Sequence, residues 1–434
     1  MTTRGNDVSA RAVTVAIIGA GLRATGYARY ALKHPERMRI VAIAEPNPVR
    51  RQAVGDEHSV PASMRFESYE DLLSREQLAD AVINGTMDHL HHASSMPLLQ
   101  RGYHMLLEKP IARSEAHVRE LIAAARQHRR TVMICHVLRY APFYAKLKQL
   151  VTAKTIGDIV SMHTSENVAY HHMATSFIRG RWNSRERSSP MLLQKCCHDM
   201  DIIAWLLSGV QPVRVASFGS LTHFRRENAP PGSALRCLDG CEIESTCQYS
   251  ARAIHITQKL HQGYAWESIE HLSNPTEKDK LRSLRTDNPY GRCVWHCDND
   301  VVDRQTVIVE FANGVTVSHD MFCATARATR NIHLVGTLGE IEGDMEAAEL
   351  RVRRPQRVAG QPFSEELIRT DAGSDGHGGG DERLIADFIS VLRGDAASAG
   401  ATRIEDSLAG HLIAFAADRS MLERRVIELT PDGA

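Results

Sequence analysis

"VAIIGAGLRATGYARYALKHP", residues 15–35, sets four apolar residues before a glycine-rich turn and an amphipathic run after it. Gly19, Gly21 and Ala24 fit the spacing G-x-G-x-x-G/A. The first glycine allows a tight turn, the second lets the backbone approach a pyrophosphate, and the alanine lets helix and strand pack closely. The stretch therefore predicts the strand, turn and helix that open a dinucleotide-binding domain.

A second apolar run, "MRIVAIAEPNP", ends at Glu45, twenty-four residues after Gly21. This is about the distance at which a carboxylate holds the adenosine ribose 2′-hydroxyl. Because a carboxylate repels a 2′-phosphate, the sequence favours NAD over NADP. Arg50 and Arg51 follow closely and keep NADP as an alternative.

Length, charge, apolar runs and cysteine content limit the classes of protein to which this chain can belong. A chain of 434 residues exceeds the usual single core, which predicts two domains. Lys and Arg together number 52, as do Asp and Glu, so no basic excess favours a nucleic-acid or membrane partner. The polar start lacks the apolar stretch of a secretory signal, and no apolar run approaches the ~20 residues of a membrane span. We predict a soluble, cytoplasmic protein whose nine cysteines are thiols or metal ligands.

The pattern of apolar residues changes near residue 136. Up to there, apolar strands alternate with amphipathic helices, which predicts a parallel sheet covered on both faces and a Rossmann domain over 11–136. Residues 137–434 are predicted to form an α+β domain with a largely antiparallel sheet, making the chain α/β overall. "QTVIVEFANGVTVSHDMF" and "NIHLVGTLGEIEGDME" each indicate a hairpin. Residues 225–300 are predicted to be an insertion, and 370–382 a flexible glycine-rich loop.

Four further motifs follow the glycine loop. They are "TMDHLHH", "LLEKP" with Glu108-Lys109-Pro110, "HVLRYAPFYAKLK" and "LLQKCCHDMDIIAWL". In this combination the chain resembles the glucose–fructose oxidoreductase, inositol dehydrogenase and MocA (Gfo/Idh/MocA) family over roughly residues 12–430, apart from the cysteine-rich insertion. The resemblance implies an NAD(P)-dependent dehydrogenase or reductase acting on the CH–OH group of a sugar, cyclitol or related polyol.

The resemblance also implies roles for individual residues. It places Lys109 beside the nicotinamide and substrate, and it makes His198 the acid/base, which suits a histidine with an ordinary pKa of ~6.5. Asp201 would support the helix. The family's catalytic aspartate falls four residues before the histidine, and here that position is Gln194. A glutamine orients a hydroxyl but takes no proton, while Lys195 supplies a positive charge.

Two sets of binding residues complete the predicted site. Some lie at the carboxyl ends of strands, where ligands of such sheets bind, and others lie in loops that close over ligands. The predicted cofactor-binding residues are Gly19, Gly21, Leu22, Arg23, Glu45, Thr86, His91, Glu108 and Lys109. The predicted substrate-binding residues are Arg139, Tyr170, His171, Gln194, Lys195 and His377.

The insertion carries a cluster of cysteines. "RCLDGCEIESTC" places Cys237, Cys241 and Cys247 within eleven residues, and "GRCVWHCDND" adds Cys293 and Cys297. Four thiolates can hold a structural zinc ion, and this would organise a segment with too few apolar residues to form its own core. We predict zinc at the first three cysteines and Cys293, with Cys297 as the alternative fourth ligand. An iron–sulfur cluster and unliganded thiols are the other interpretations.

Oxidoreduction of a polyol is the first hypothesis for function. One alternative is an enzyme that uses bound NAD to cleave glycosides by transient oxidation and elimination, as some relatives do. The other is a non-catalytic regulator that senses dinucleotides, since fold alone does not fix function. The second domain's sheet has helices for one face only, which predicts a homodimer or homotetramer.

Overall fold

The computed structural model describes residues 11–272, 274–373 and 377–430. Its strands are β1 (Val13–Ile18), β2 (Met38–Ala44), β3 (Arg65–Phe66), β4 (Ala81–Asn84), β5 (His104–Leu107), β6 (Val132–Ile134), β7 (Ile159–Ala169), β8 (Pro212–Ser220), β9 (Arg304–Phe311), β10 (Thr316–Thr325), β11 (Thr329–Gly336), β12 (Gly339–Asp344), β13 (Glu349–Val358), β14 (Gln361–Arg369) and β15 (Ile427–Glu428).

The α-helices are α1 (Leu22–Ala28), α2 (Tyr30–Lys33), α3 (Pro48–Glu57), α4 (Tyr69–Leu73), α5 (His91–Arg101), α6 (Glu115–Gln127), α7 (Pro142–Thr152), α8 (Tyr170–His172), α9 (Met191–Leu206), α10 (Gln262–Ala265), α11 (Glu277–Arg285), α12 (Gly380–Leu392) and α13 (Leu408–Glu423). Short 3-10 or π turns lie at Ala62–Met64, Asp88–Leu90, Val137–Tyr140, Met173–Arg179, Arg226–Asn228, Ala253–Thr257, Glu267–Ile269 and Pro289–Gly291. None of the described helices has the length and apolar content needed to cross a membrane.

The first unit comprises the chain up to Ala153, Met200–Leu207 and Arg369–Leu412. Its sheet is parallel, with the order β3-β2-β1-β4-β5-β6, which is the Rossmann order predicted from the glycine loop. The central strands are buried on both faces, since helices cover the sheet on either side. The fold class is confirmed for this half of the chain.

Late parts of the chain return to this first sheet. Helix α12 buries Leu384 and Phe388 in the same apolar core as Val15 of β1. Beside β6, the Ile134 N–H donates to the Thr402 carbonyl at 2.9 Å. The first compact unit therefore also includes residues 200–207 and 369–412. Local periodicity identifies a helix but not the sheet against which that helix packs.

The second unit comprises Lys154–Asp199, Ser208–Ile368 and the chain from Ile413 onward. Its nine strands have the order β14-β13-β12-β11-β7-β10-β9-β8-β15. The two predicted hairpins are confirmed as β9–β10 and β11–β12, each antiparallel. Because β10 pairs with β7 in parallel, the sheet is mixed but mostly antiparallel.

The predicted insertion lies between β8 and β9. The part of it that the structure describes contains helices and turns but no strand. Leu238, Ala251, Leu284 and Tyr290 are buried together in an apolar cluster. The expectation that this segment cannot form a core of its own is wrong, because aromatic and aliphatic residues far apart in sequence converge there. Residues 273 and 374–376 lie outside the described residues, so the structure tests the predicted glycine-rich loop only outside 374–376.

Candidate functional site

The glycine loop follows β1 at the point where the strand order reverses, since β1 lies between β2 and β4. Gly19 has a φ of +78°, and a Cβ built on it would stand 2.9 Å from the Gly85 carbonyl oxygen. A larger residue is therefore excluded at Gly19 on both conformational and steric grounds. Apart from its chain neighbours and its own helix, no described atom lies within 4 Å of a Cβ built on Gly21, so that side of the loop is open to a ligand. The loop fits a dinucleotide phosphate.

Glu45 lies at the end of β2 and is buried beside this loop. One carboxylate oxygen accepts a hydrogen bond from the Ala20 N–H at 2.7 Å, and the other accepts one from the Asn47 N–H at 2.9 Å. Arg51 donates to the Glu45 backbone carbonyl and lies 3.3 Å from the Glu67 carboxylate. The negative charge is thus fixed next to the glycine turn, and Arg51 is held by acceptors of its own.

Glu108 of the Glu-Lys-Pro motif anchors a buried polar network in the first unit. Its carboxylate accepts hydrogen bonds from Tyr27 Oη at 3.0 Å and from the Lys109 N–H at 2.9 Å. Burial alone would raise the pKa of Glu108, but Arg23, Lys109 and these hydrogen bonds outweigh it and hold the pKa below its usual range. Arg23 forms a two-pronged ion pair with Asp381, at 2.7 Å for each contact. Arg23 Nε also lies 3.3 Å from Glu108, so these two predicted cofactor residues belong to one network.

His91 connects two loops of the predicted cofactor site. Its Nδ1 lies 2.6 Å from the Pro110 carbonyl and its Nε2 lies 3.0 Å from the Thr86 carbonyl. Burial lowers the pKa of His91, which favours the neutral ring. The Thr86 hydroxyl donates to the Asn84 side-chain oxygen at 2.8 Å. Leu22, another predicted cofactor residue, is exposed. His91 and Thr86 thus fix the backbone that follows β4 and β5, where a dinucleotide binds in such sheets.

Arg139 does not face an open surface. Its Nε and Nη2 donate to the two carboxylate oxygens of Asp201 at 2.7 and 2.6 Å, and its remaining hydrogen bonds go to the Ala401 and Asp406 carbonyls. His136 lies 2.8 Å from Asp201. The prediction that Arg139 binds substrate is corrected, because buried acceptors already use its guanidinium. Asp201 lies in α9, and its carboxylate is held by Arg139 and His136.

A second buried ionic cluster lies in the second unit. Lys195 of α9 lies 3.0 Å from Glu166 of β7, and Arg330 of β11 lies 2.5 Å from the same carboxylate. Arg330 also lies 3.2 Å from Asp199. Two carboxylates and two cations are thus enclosed together, and Lys195 is part of this network rather than an isolated charge.

The two carboxylates of this cluster have opposite pKa shifts. For Asp199, burial and the neighbouring Glu166 outweigh Arg330 and raise the pKa to about 7. For Glu166, burial also acts upward, but Arg330 and Lys195 outweigh it and lower the pKa. A carboxyl that titrates near neutrality therefore lies directly after His198 in α9. His198 and Gln194 of the same helix are buried.

The remaining predicted substrate residues contact other parts of their own units. His171 Nδ1 lies 2.8 Å from His261 Nε2, and Tyr170 donates to Gln258 at 3.1 Å. Both partners belong to the insertion, which therefore shapes the end of β7. In the first unit, His377 Nδ1 lies 3.3 Å from Asp381.

The four predicted metal ligands line a single cavity. Cys237, Cys241, Cys247 and Cys293 surround a space about the size of one water molecule, and Cys297 does not line it. Within the described chain, the sole group of three metal-binding side chains whose ligand atoms lie within 4.8 Å of one another is a surface group elsewhere, His92, His117 and Glu120. The cysteine sulfurs are therefore more widely spaced than a zinc ion at about 2.3 Å from each sulfur requires.

Sequence reasoning missed three buried charged residues near the predicted site, namely Glu166, Asp199 and Arg330. Asp199 lies within the motif "LLQKCCHDMDIIAWL", but the acid/base role was assigned to the neighbouring His198. Glu166 and Arg330 belong to strands with no motif around them. Only the pairing of β11 with β7 brings these two residues together.

Comparisons with known proteins agree with this architecture. The chain matches the profile described as "Oxidoreductase family, NAD-binding Rossmann fold" over residues 13–136. It matches "Oxidoreductase family, C-terminal alpha/beta domain" over residues 148–429. Both belong to the Gfo/Idh/MocA family.

Individual relatives are more distant. A Bacillus subtilis protein named as an oxidoreductase, YteT, is 25% identical over 330 residues, which is 74% of either chain. The 2,7-anhydro-N-acetylneuraminate hydratase of Mediterraneibacter gnavus is 25% identical over 213 residues, 49% of this chain and 54% of the hydratase. The chain thus spans about half the length of that relative.

A solved structure shares the fold. The inositol dehydrogenase homolog of Azotobacter vinelandii, complexed with NADH and myo-inositol, matches with a TM-score of 0.66 at 14% identity, covering 97% of this chain and 99% of that one. At this identity the likeness concerns the fold alone. The two profiles, which together cover most of the chain, show that it belongs to the Gfo/Idh/MocA family of NAD-binding oxidoreductases.

Proposed function

We propose that this protein is an NAD-dependent oxidoreductase acting on a hydroxyl carbon of a sugar, cyclitol or related polyol. The proposal rests on the Glu45 carboxylate, which a hydrogen bond from the Ala20 N–H holds beside the glycine loop. The same loop is open to a ligand at Gly21. A carboxylate at that position accepts the ribose hydroxyl and repels a 2′-phosphate, which favours NAD over NADP. The nature of the substrate rests on the family resemblance and on relatives named for sugar derivatives and inositol.

Nicotinamide, when bound, supplies the hydride acceptor. The chain's own residues must then orient the substrate and manage the hydroxyl proton. We assign removal of that proton to His198, whose ordinary pKa suits transfer in both directions. Lys109 stabilises the negative charge that develops on the substrate oxygen. Gln194 orients the hydroxyl by hydrogen bonding, since an amide cannot accept the proton.

The test measures NADH formation from NAD with a panel of sugars, polyols and inositols. With a responding substrate, His198→Ala should lower kcat by about 10²- to 10⁴-fold, and Lys109→Ala should lower kcat/KM by a similar factor. Matched controls are His163→Ala, on an exposed part of β7, and Lys33→Ala, on the surface of the first unit; both should keep activity. Full activity in the His198 and Lys109 variants would refute the assignment.

A glycoside-cleaving activity is the second candidate. It is favoured by Gln194, which stands where the family has its catalytic aspartate, and by the match to a hydratase. Such an enzyme would release nitrophenol from nitrophenyl glycosides without accumulating NADH. Intact glycosides together with NADH formation from a free polyol would exclude it. NAD binding in a calorimeter without turnover of either substrate class would instead favour the regulator.

We also propose that the protein assembles through the sheet of the second unit. Phe218, Ile308 and Phe322 lie on the same face of adjacent strands and are 76%, 49% and 43% exposed. An apolar face of this kind favours symmetric pairing with a second copy. Light scattering should give a dimer or tetramer, and a species of 48 kDa alone would contradict this. The predicted zinc ion is not part of the proposal, because the sulfurs are too widely spaced for it.

A further inference from the structure

We infer that His92, His117 and Glu120 of the first unit form a surface site for one divalent transition-metal ion. The site contains none of the cysteines and none of the residues to which cofactor or substrate roles were assigned. The inference is therefore independent of the polyol chemistry proposed above. It rests on where the three side chains meet, on the spacing of their donor atoms and on what else those atoms contact.

Two neighbouring helices bring the three side chains together. Helix α5 follows β4 and α6 follows β5, and these two strands are adjacent and parallel in the first sheet. Both helices therefore begin at the same edge of the sheet, and they pack side by side. His92 lies in the first turn of α5. His117 lies in the first turn of α6, where its N–H donates to the Ser114 hydroxyl at 3.3 Å.

The spacing within α6 places the other ligand next to His117. Glu120 follows three residues later, and side chains three apart are neighbours on a helix surface. Apolar residues such as Leu98 of α5 and Leu121 of α6 are buried and hold the two helices in place without a metal. Ligands carried by packed helices are positioned more precisely than ligands on loops.

The three side chains contact one another and leave donor atoms unused. His92 Nε2 lies 2.7 Å from a Glu120 carboxylate oxygen. The rings of His92 and His117 are stacked, with their centroids 4.0 Å apart. Among the described residues, neither ring nitrogen of His117 has a hydrogen-bond partner. Because His117 and Glu120 are exposed, an ion can reach these atoms from solvent.

The spacing of the donor atoms fits a single ion. One nitrogen of each histidine and one carboxylate oxygen all lie within 4.8 Å of one another. Zinc, a representative ion of this class, binds nitrogen and oxygen at about 2.0–2.2 Å, so its ligand atoms lie roughly 3–4 Å apart. Small rotations of the exposed His117 and Glu120 side chains close the remaining distance. Three protein ligands leave a fourth position, which a water molecule fills.

The chemistry of the donors selects the class of ion. Imidazole suits zinc, copper, nickel and iron, whereas calcium and magnesium bind shells of six or more oxygen atoms. Two imidazoles and one carboxylate form a ligand set that zinc enzymes use. The Glu120 carboxylate also neutralises one of the two charges of a divalent ion. These donors therefore favour a transition-metal ion over calcium or magnesium.

The test titrates cobalt(II) into the full chain after a chelator has removed bound metal, and follows heat and visible absorption. His117→Ala and Glu120→Gln should each weaken cobalt binding by more than about tenfold, since even outer partners of metal ligands contribute about 10- to 100-fold. The matched controls are His128→Ala, at the other end of α6, and Glu115→Gln, in its first turn; both should bind cobalt as the parent does. No cobalt binding by the parent, or equal binding by the parent and His117→Ala, would overturn the inference.

The absorption spectrum distinguishes this site from the cysteines of the second unit. Cobalt on two imidazoles and a carboxylate gives only weak visible bands, whereas thiolate ligands add strong absorption in the near ultraviolet. We expect the parent to show weak bands that His117→Ala lacks. Thiolate absorption that is unchanged in His117→Ala, without those weak bands, would also overturn the inference. NAD binding at the glycine loop should persist in all four variants, which separates this inference from the proposed function.

Discussion

Two aspartates on helix α9 differ by two positions in sequence and have opposite electrostatic properties. Asp199 belongs to the second unit and Asp201 to the first, and they are 5% and 1% exposed. The pKa of Asp199 is raised to about 7, whereas that of Asp201 is held far below its usual range. Burial acts upward on both carboxyls, so burial alone does not explain the difference.

The charged groups around each carboxylate explain why the two pKa shifts are opposite. Asp201 receives two hydrogen bonds from the single guanidinium of Arg139, at 2.6 and 2.7 Å, and no second carboxylate competes for that cation among its described contacts. Asp199 has one contact of 3.2 Å with Arg330, whose shorter contact goes to Glu166. Two carboxylates sharing a cation cannot both ionise easily. The two matched hydrogen bonds from Arg139 therefore keep Asp201 ionised. Because Asp199 shares Arg330 with Glu166, its pKa is raised to about 7.

The largest expected loss of stability comes from breaking the buried ion pair between Arg139 and Asp201. Asp201→Asn leaves the Arg139 guanidinium buried without a counter-charge and should lower the free energy of unfolding by about 3–5 kcal/mol. Urea denaturation at pH 7 measures it. The control Asp158→Asn, in an exposed pair with Lys154, should change the same quantity by less than about 1 kcal/mol. Equal effects in both variants would show that the buried pair is not special.

A smaller loss of stability is expected from changing the buried cluster of Glu166, Asp199, Lys195 and Arg330. Glu166→Gln removes a buried charge from Lys195 and Arg330, but it also removes the repulsion that helps to raise the pKa of Asp199. Asp199 should then ionise and replace part of the lost charge, so we expect a cost of about 2 kcal/mol at pH 7. The double variant Glu166→Gln/Asp199→Asn has no such replacement. If the double variant were no less stable than Glu166→Gln, the coupling between the two carboxyls would be disproved.

The smallest effect concerns pH. A folded-state pKa raised above that of the unfolded chain means that unfolding releases a proton, so Asp199 makes the protein less stable as pH rises from about 4 to about 7. Asp199→Asn resembles the neutral acid, so its advantage in unfolding free energy over the parent should grow by about 1–2 kcal/mol from pH 5 to pH 8. Asp201 has a lowered pKa and contributes stability above about pH 4 that is lost as pH falls, so the deficit of Asp201→Asn should shrink in acid. Urea melts across this range measure both slopes, and a flat difference for Asp199→Asn would contradict its raised pKa.

Much of the fold was predictable from local sequence. The glycine spacing, the alternating strands and the hairpins around Asn313-Gly314 and Gly336–Gly339 all appear where the sequence places them. The family motifs likewise located the cofactor loop and α9. The role of Arg139 was not predictable, because its partner Asp201 lies sixty-two residues later and is reached only through folding.

The sequence by itself determined the properties that depend on a few consecutive residues. A turn that needs glycine, a strand that alternates and a carboxylate at a strand end are all set by local backbone sterics and residue chemistry. Tertiary structure decided the properties that depend on which charges share one space. It placed Glu166 against Arg330, buried Arg179 beside four cysteines, and gave Asp199 and Asp201 opposite pKa shifts. The reason is that electrostatic energy in a protein interior depends on distances of a few ångströms between groups that are remote in the chain.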